Sequence, residues 1–208
     1  MVEFLVSAFV TLFVVVDPVG LAPIFIGVTE GLSASLRRQV AVRAALIAAG
    51  ILVGAGLTGN WLLQQLAISL SAFRIAGGLL LFSIATEMVF GVRTQREGAT
   101  AEHAVEERAR DLAAFPLAIP LMAGPGAITA IVLLAGRTQG DLLLHGLLLV
   151  VVIAVAVCCL FAFLFAAAIS RFLGVTGNIV LSRLLGVILA ALAVQFVIDG
   201  IKVIFGGH

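Results

Sequence analysis

Apolar residues run through this chain in six long stretches, and polar residues collect almost wholly between them. The stretches are Phe4–Thr29, Val40–Leu66, Ala72–Val92, Leu112–Gly136, Leu142–Ser170 and Ile179–Phe205. Each has the roughly 20 residues that carry a helix across a hydrocarbon core. The pattern predicts an all-α, polytopic membrane protein of six transmembrane helices. Between the third and fourth lies a charged segment, 93–111, rich in Glu and Arg. It reads as a solvated connector with some helix rather than a catalytic loop. Residues 1–92 and 112–208 then form one three-helix unit on each side of it, within a single membrane domain.

In two runs the apolar pattern fails. Helix 1 contains "FVVVDPVGLAPIFIGVT", with Asp17, Pro18, Gly20 and Pro23 inside it. Helix 4 contains Pro116, Pro120 and Pro125, with Gly124 and Gly126 alongside. All five prolines of the chain fall in these two runs. Laying "DPVGLAPIF" over "IPLMAGPGA" pairs Pro18 with Pro120 and Pro23 with Pro125, and sets Ile119 opposite Asp17. "RIAGG" from Arg74 similarly matches "RLLGV" from Arg183, with Gly91 then opposite Gly200. Matches in the same order predict two copies of a three-helix unit. An odd number of spans per copy forces opposite orientations, so the repeats are expected to be inverted, with the binding site at the interrupted helices.

Proline lacks an amide hydrogen and clashes with the preceding turn. Pro18 and Pro23 release the carbonyls of Val14 and Val19; Pro120 and Pro125 release those of Pro116 and Leu121. Such backbone survives at membrane depth only against protein or a water-filled space. Helices 1 and 4 are therefore expected to be discontinuous around Asp17–Pro23 and Pro120–Gly126, near the bilayer midplane. The second half of each would begin there with free N–H groups and a positive dipole end. The first half would end there in free carbonyls. Together they suit a zwitterion, and the lack of a second fixed charge favours a neutral amino acid. Asp17 fits as the cap of a helix with Pro18 in its first position. It is equally a candidate partner for a substrate ammonium, a proton or Na⁺, because an acid within the membrane is a functional candidate by default.

Composition supports a lipid solvent. Hydrophobic residues make up 62% of the chain and charged ones 11%, where a soluble domain carries about a quarter charged; the mean hydropathy is +1.27. A net charge of +1 gives no sign of a nucleic-acid partner. No basic residue precedes the first apolar run, so it is not read as a cleavable signal. Cys158 and Cys159 read as inert buried thiols, and His103, His145 and His208 lack ligand spacing, so no cofactor is expected. The loops after helices 1, 3 and 5 carry nine of the 12 basic residues; the other side has Arg74, Arg137 and Lys202. Both termini are therefore expected outside the cell. Glu87 and Asp199 read as anchors of helix ends, and Arg74 and Arg183 as snorkelling cations, with gating roles or an ion pair to a neighbouring helix left open. Gln195 could bond a neighbouring helix or donate into the cavity. Gly50, Gly54, Ala55 and Gly59 read as a close helix-packing stripe.

"DPVGLAPIF" followed by Thr29, and "PLMAGPGAIT" ending at Thr129, resemble the paired signatures of the MarC family of bacterial and archaeal membrane proteins, which includes the SnatA amino acid transporters. The resemblance covers essentially the whole chain. It implies an inverted-repeat transporter of small neutral amino acids such as glycine and alanine, in the cell (inner) membrane. The substrate would be held by Asp17, Pro18, Gly20, Pro23 and Thr29, with Pro120, Gly124, Pro125, Gly126 and Thr129, and movement could be coupled to H⁺ or Na⁺. The two threonines could equally bond their own helices. The alternative is a passive channel or an exporter for other small solutes. An enzyme is not expected. A thiol-electron carrier needs one reactive cysteine per repeat, whereas both cysteines lie in helix 5, and neither a paired acid nor a nucleophile with its base is apparent.

Overall fold

A computed structural model of the protein describes residues 1–92 and 113–205. The charged segment 93–111, and with it His103, lies outside the described residues, as does His208. Everything regular among the described residues is helical. α1 (Val2–Val16) and α2 (Pro18–Val28) join through Asp17 alone. α3 (Ala34–Gln65) starts earlier than Val40 because Ser33 Oγ caps it, accepting from Leu36 N at 3.4 Å. α4 (Leu70–Phe90) is capped in the same way by Ser69 and stops at Gly91, whose φ of 77° lies in the left-handed region that favours glycine. A π-helical segment, π1 (Ala113–Met122), holds Pro116 and Pro120 and precedes α5 (Pro125–Gly136). α6 (Leu142–Leu164) is capped by Asp141. α7 (Ala166–Phe205) is interrupted at Gly174 (φ 62°, ψ −177°), and the arm Thr176–Phe205 is apolar enough to span by itself.

Five spans are long and apolar enough to cross a bilayer: Val2–Val28, Ala34–Gln65, Leu70–Phe90, Leu142–Leu164 and Thr176–Phe205. The pair Pro116–Met122 and Pro125–Gly136, bent by 55°, makes a sixth if counted as one. Helix 5 therefore reaches only Leu164 before it is interrupted, rather than Ser170, and helix 6 begins at Thr176 rather than Ile179.

The interruptions are narrower than the proline spacing suggests. In helix 1 only Asp17 leaves helical geometry (φ 53°, ψ 64°); Pro23 lies inside α2, and Val2–Val28 stands as a single span. Pro23 removes one bond of the ladder, that to Val19 O, and the helix continues on the bonds around it. In helix 4 the irregular residues are Ala123 and Gly124.

Packing joins elements from opposite halves. α4 lies antiparallel to the long arm of α7. A Cβ at Gly78 would stand 2.7 Å from Ala193 O, one at Gly186 2.9 Å from Met88 Cβ, and one at Gly200 2.9 Å from Ser71 O. α3 packs on π1, α5 and α6; α1 on α5, α6 and α7; α2 on α6 and α7, with Phe25 stacked on Phe163 at 4.5 Å. No pair of helices within the first half ranks among these principal contacts. The small side chains Ala41, Ala44, Ala45 and Ala48 form the buried face of α3 and admit these neighbours closely. The expected stripe is only partly used: Gly59 meets Val132, whereas Gly50 and Gly54 face nothing within 4 Å. Met1 and Val203 line one cavity, so both ends of the described chain lie at the same end of the bundle.

Candidate functional site

The site begins with Asp17. Its left-handed backbone ends α1, where its N–H still donates to Phe13 O at 2.9 Å, and its carbonyl accepts from Leu21 N at 3.1 Å to open α2. Pro18 takes the first helical position, where no N–H is needed. The carboxylate turns back over that first turn, and Oδ1 accepts from Gly20 N at 3.0 Å. Gly20 is required there: a Cβ would collide with Asp17 Oδ2. Asp17 is buried, with 6% of its surface exposed. Ser182 Oγ, on α7, donates to Oδ2 at 3.2 Å and ties the carboxylate to the opposite half of the chain.

The second interruption is built without a side-chain cap. Gly124 is the N-cap of α5 and Pro125 its first residue, so the turn has no side-chain cap. The first intrahelical bond there runs from Ile128 N to Gly124 O at 3.0 Å. Gly126 is buried against Ile84, and a Cβ on it would stand 3.4 Å from Val15 Cγ1, two residues before Asp17. The two interruptions thus lie side by side. Their chemistry differs, since one helix start is capped by a carboxylate and the other by a glycine.

The two helix starts can also be compared with each other. Asp17–Pro18 matches Gly124–Pro125 as cap and first residue, five positions away from the pairing of Pro18 with Pro120. Ile119, paired with Asp17 by the sequence alignment, lies within π1 with its side chain 45% exposed. Pro120 follows a cis peptide bond within π1, and its carbonyl is the atom that a Cβ at Gly124 would strike.

The remaining expected site residues divide. Thr129 is buried in α5, four residues beyond Pro125, and its methyl would lie 2.6 Å from a Cβ at Gly77. Thr29 is not brought to the interruption. It ends α2, about 18 Å along the helix from Asp17 at 1.5 Å per residue, and its hydroxyl donates to Phe25 O at 2.6 Å. Its carbonyl accepts from Arg37 Nη2 at 3.4 Å. Pro23 and Val19 line an apolar cavity of about 240 Å³ between α2 and the Gly174 interruption, with Ser170 and Asn178 on the far wall. That is room for roughly eight waters at about 30 Å³ each. Ser170 Oγ is buried there without a hydrogen-bond partner.

Ser182, Ser170 and Asn178 are the polar groups that sequence reasoning missed. Ser182 precedes the repeated Arg183, but Phe73 holds the matching place before Arg74, so the repeat carries no trace of it. Among the described residues no group of three or more His, Cys, Asp or Glu side chains is placed to hold a metal, and Cys158 and Cys159 are both free thiols. Gln195 Nε2 donates to Asp199 Oδ1 at 2.7 Å on its own helix rather than into the site.

The family model for MarC family integral membrane proteins matches residues 2–205. A UPF0056 membrane protein of Archaeoglobus fulgidus is 39% identical over 203 residues, covering 96% of this chain and 92% of the relative. The UPF0056 membrane protein YhcE of Escherichia coli is 38% identical over 202 residues, with the same two coverages. A UPF0056 membrane protein of Methanocaldococcus jannaschii is 35% identical over 205 residues, covering 96% of this chain and 97% of the relative. No solved structure matches the chain. Apolar spans, a helix interruption bearing a buried aspartate, and full-length similarity to these proteins agree: the chain belongs to the MarC family of integral membrane proteins.

Proposed function

We propose that this protein transports small neutral amino acids of the glycine and alanine class, binding the zwitterion between the interruptions of helices 1 and 4. The observation that carries the proposal is a buried carboxylate at one interruption, beside a second interruption whose helix start no side chain caps. The substrate carboxylate is assigned to the open first turn of α5, at the N–H groups of Gly126 and Ala127. The ammonium is assigned to Asp17. With the start of α2 filled by Asp17, the two half-helices divide the work and do not duplicate it. Coupling to H⁺ or Na⁺ would act through the same carboxylate.

The transport reading includes an inverted repeat, and the packing supports it. Exchanging the halves turns the contacts of α3 with π1 and α5 into those of α6 with α1 and α2, and α4 on α5 into α7 on α2. The pairs α3 with α6 and α4 with α7 map onto themselves. With the two helix starts paired, Asp17 and Gly124 are offset by nearly as many residues as Arg74 and Arg183. Under this reading the protein lies in the cell (inner) membrane with both termini outside.

Purified protein in liposomes preloaded with unlabelled glycine should take up labelled glycine by saturable counterflow. Linear flux without exchange would make it a channel. No uptake above empty liposomes for glycine, alanine and serine would remove amino acids as the substrate class.

A further inference from the structure

At the end of the bundle that carries Met1 and Val203 lies a second, wider cavity of about 500 Å³. It gathers Arg74 from the start of α4, Arg137 from the end of α5 and Lys202 from the end of α7, against one carboxylate, Asp199. These are the three basic residues that the loop count assigns to this face, and they arrive from three separate helices. Asp199 already accepts from Gln195. Arg74 is not simply reaching out to water: its Nε is buried without a hydrogen-bond partner. The two terminal nitrogens of a guanidinium offer a fork that fits two oxygens of one oxyanion. Arg183, the repeat-related arginine, is exposed instead. Apolar side chains, Phe4 and Val203, share the same wall.

We propose that this chamber binds the headgroup phosphate of an anionic phospholipid. Helix ends lie at headgroup depth, where phosphate is the abundant oxyanion, and Phe4 and Val203 offer a surface to the hydrocarbon next to it. The excess of cations repels the ammonium of a zwitterionic headgroup, so selection is for a headgroup with no positive group of its own. The site does not depend on what crosses the membrane.

The test is native mass spectrometry of the delipidated full-length protein titrated with phosphatidylglycerol or phosphatidylethanolamine. Wild type should bind phosphatidylglycerol in preference. Arg137→Gln and Lys202→Gln, both at exposed positions, should each weaken that binding about fivefold and leave phosphatidylethanolamine unchanged. Arg171→Gln, an exposed cation beyond the chamber, should leave the preference intact. No preference in wild type, or an equal loss in Arg171→Gln, overturns the site. Inorganic phosphate that displaces the lipid at matching concentration assigns the cations to a free oxyanion and overturns the lipid as occupant.

Discussion

Asp17 does two jobs that substitution can separate. As a cap it accepts from Gly20 N, and as a charge it stands buried beside the second interruption. In Asp17→Asn the amide oxygen keeps the cap and the amide nitrogen can donate to Ser182 Oγ, since a hydroxyl also accepts. Stability should fall by less than about 1 kcal/mol, while counterflow should drop at least about tenfold through loss of the charge, a factor that corresponds to about 1.4 kcal/mol. Unchanged uptake kinetics would reduce Asp17 to a structural cap. Gly20→Ala tests the same point from the other side. Alanine gains up to about 1 kcal/mol of helix propensity, but its Cβ needs the space of Oδ2. The melting temperature in detergent should therefore barely move while uptake falls. A variant that transports normally would show that the carboxylate can leave its place without consequence.

Among elements, the α4–α7 seam depends on missing side chains. Gly78 faces the backbone of Ala193 and Val197, which cannot swing aside, so Gly78→Ala should cost about 1–3 kcal/mol of stability. Gly54, with nothing within 4 Å, should tolerate alanine or gain from it, by up to about 1 kcal/mol. Thermal melts in detergent read both, and equal effects would mean that the seam is not tightly packed. This contrast marks how far the sequence could be read. Apolar run length gave five spans, and a sixth where the bent pair is counted as one, because lipid imposes that length directly. The Asp-Pro pair was legible as a cap because its geometry is local. The offset between Pro18 and Pro125 was not, because a proline inside a helix and a proline at a helix start look alike until the caps are seen. Ser182 reaches Asp17 only across the fold, and no spacing along the chain announces a contact of that kind.

For the molecule as a whole, orientation is the open quantity that charge predicts. Glu30, beyond the far end of helix 1, and Gln139, which shares a cavity with Met1, are both exposed and lie at opposite ends of the bundle. With the basic loops in the cytoplasm, an impermeant maleimide should label Gln139→Cys in intact cells and reach Glu30→Cys only after the membrane is opened. The reverse pattern would invert the topology and put the Arg74, Arg137 and Lys202 chamber on the cytoplasmic face.

The crossing of principal contacts between halves carries a consequence for biogenesis. The ribosome delivers the N-terminal half first, on the order of ten seconds ahead of the rest, and during that interval α1 to α4 have almost nothing of their own to dock against. Lipid supplies no hydrophobic drive to hold them together. The early helices must wait in the bilayer as separate rods, exposed to quality-control proteases, until their counterparts are inserted. Produced alone, residues 1–92 should be degraded; produced together with residues 113–208 as a second polypeptide, they should be protected and co-purify. Recovery of a stable, folded 1–92 fragment alone would show that the early half can assemble unaided.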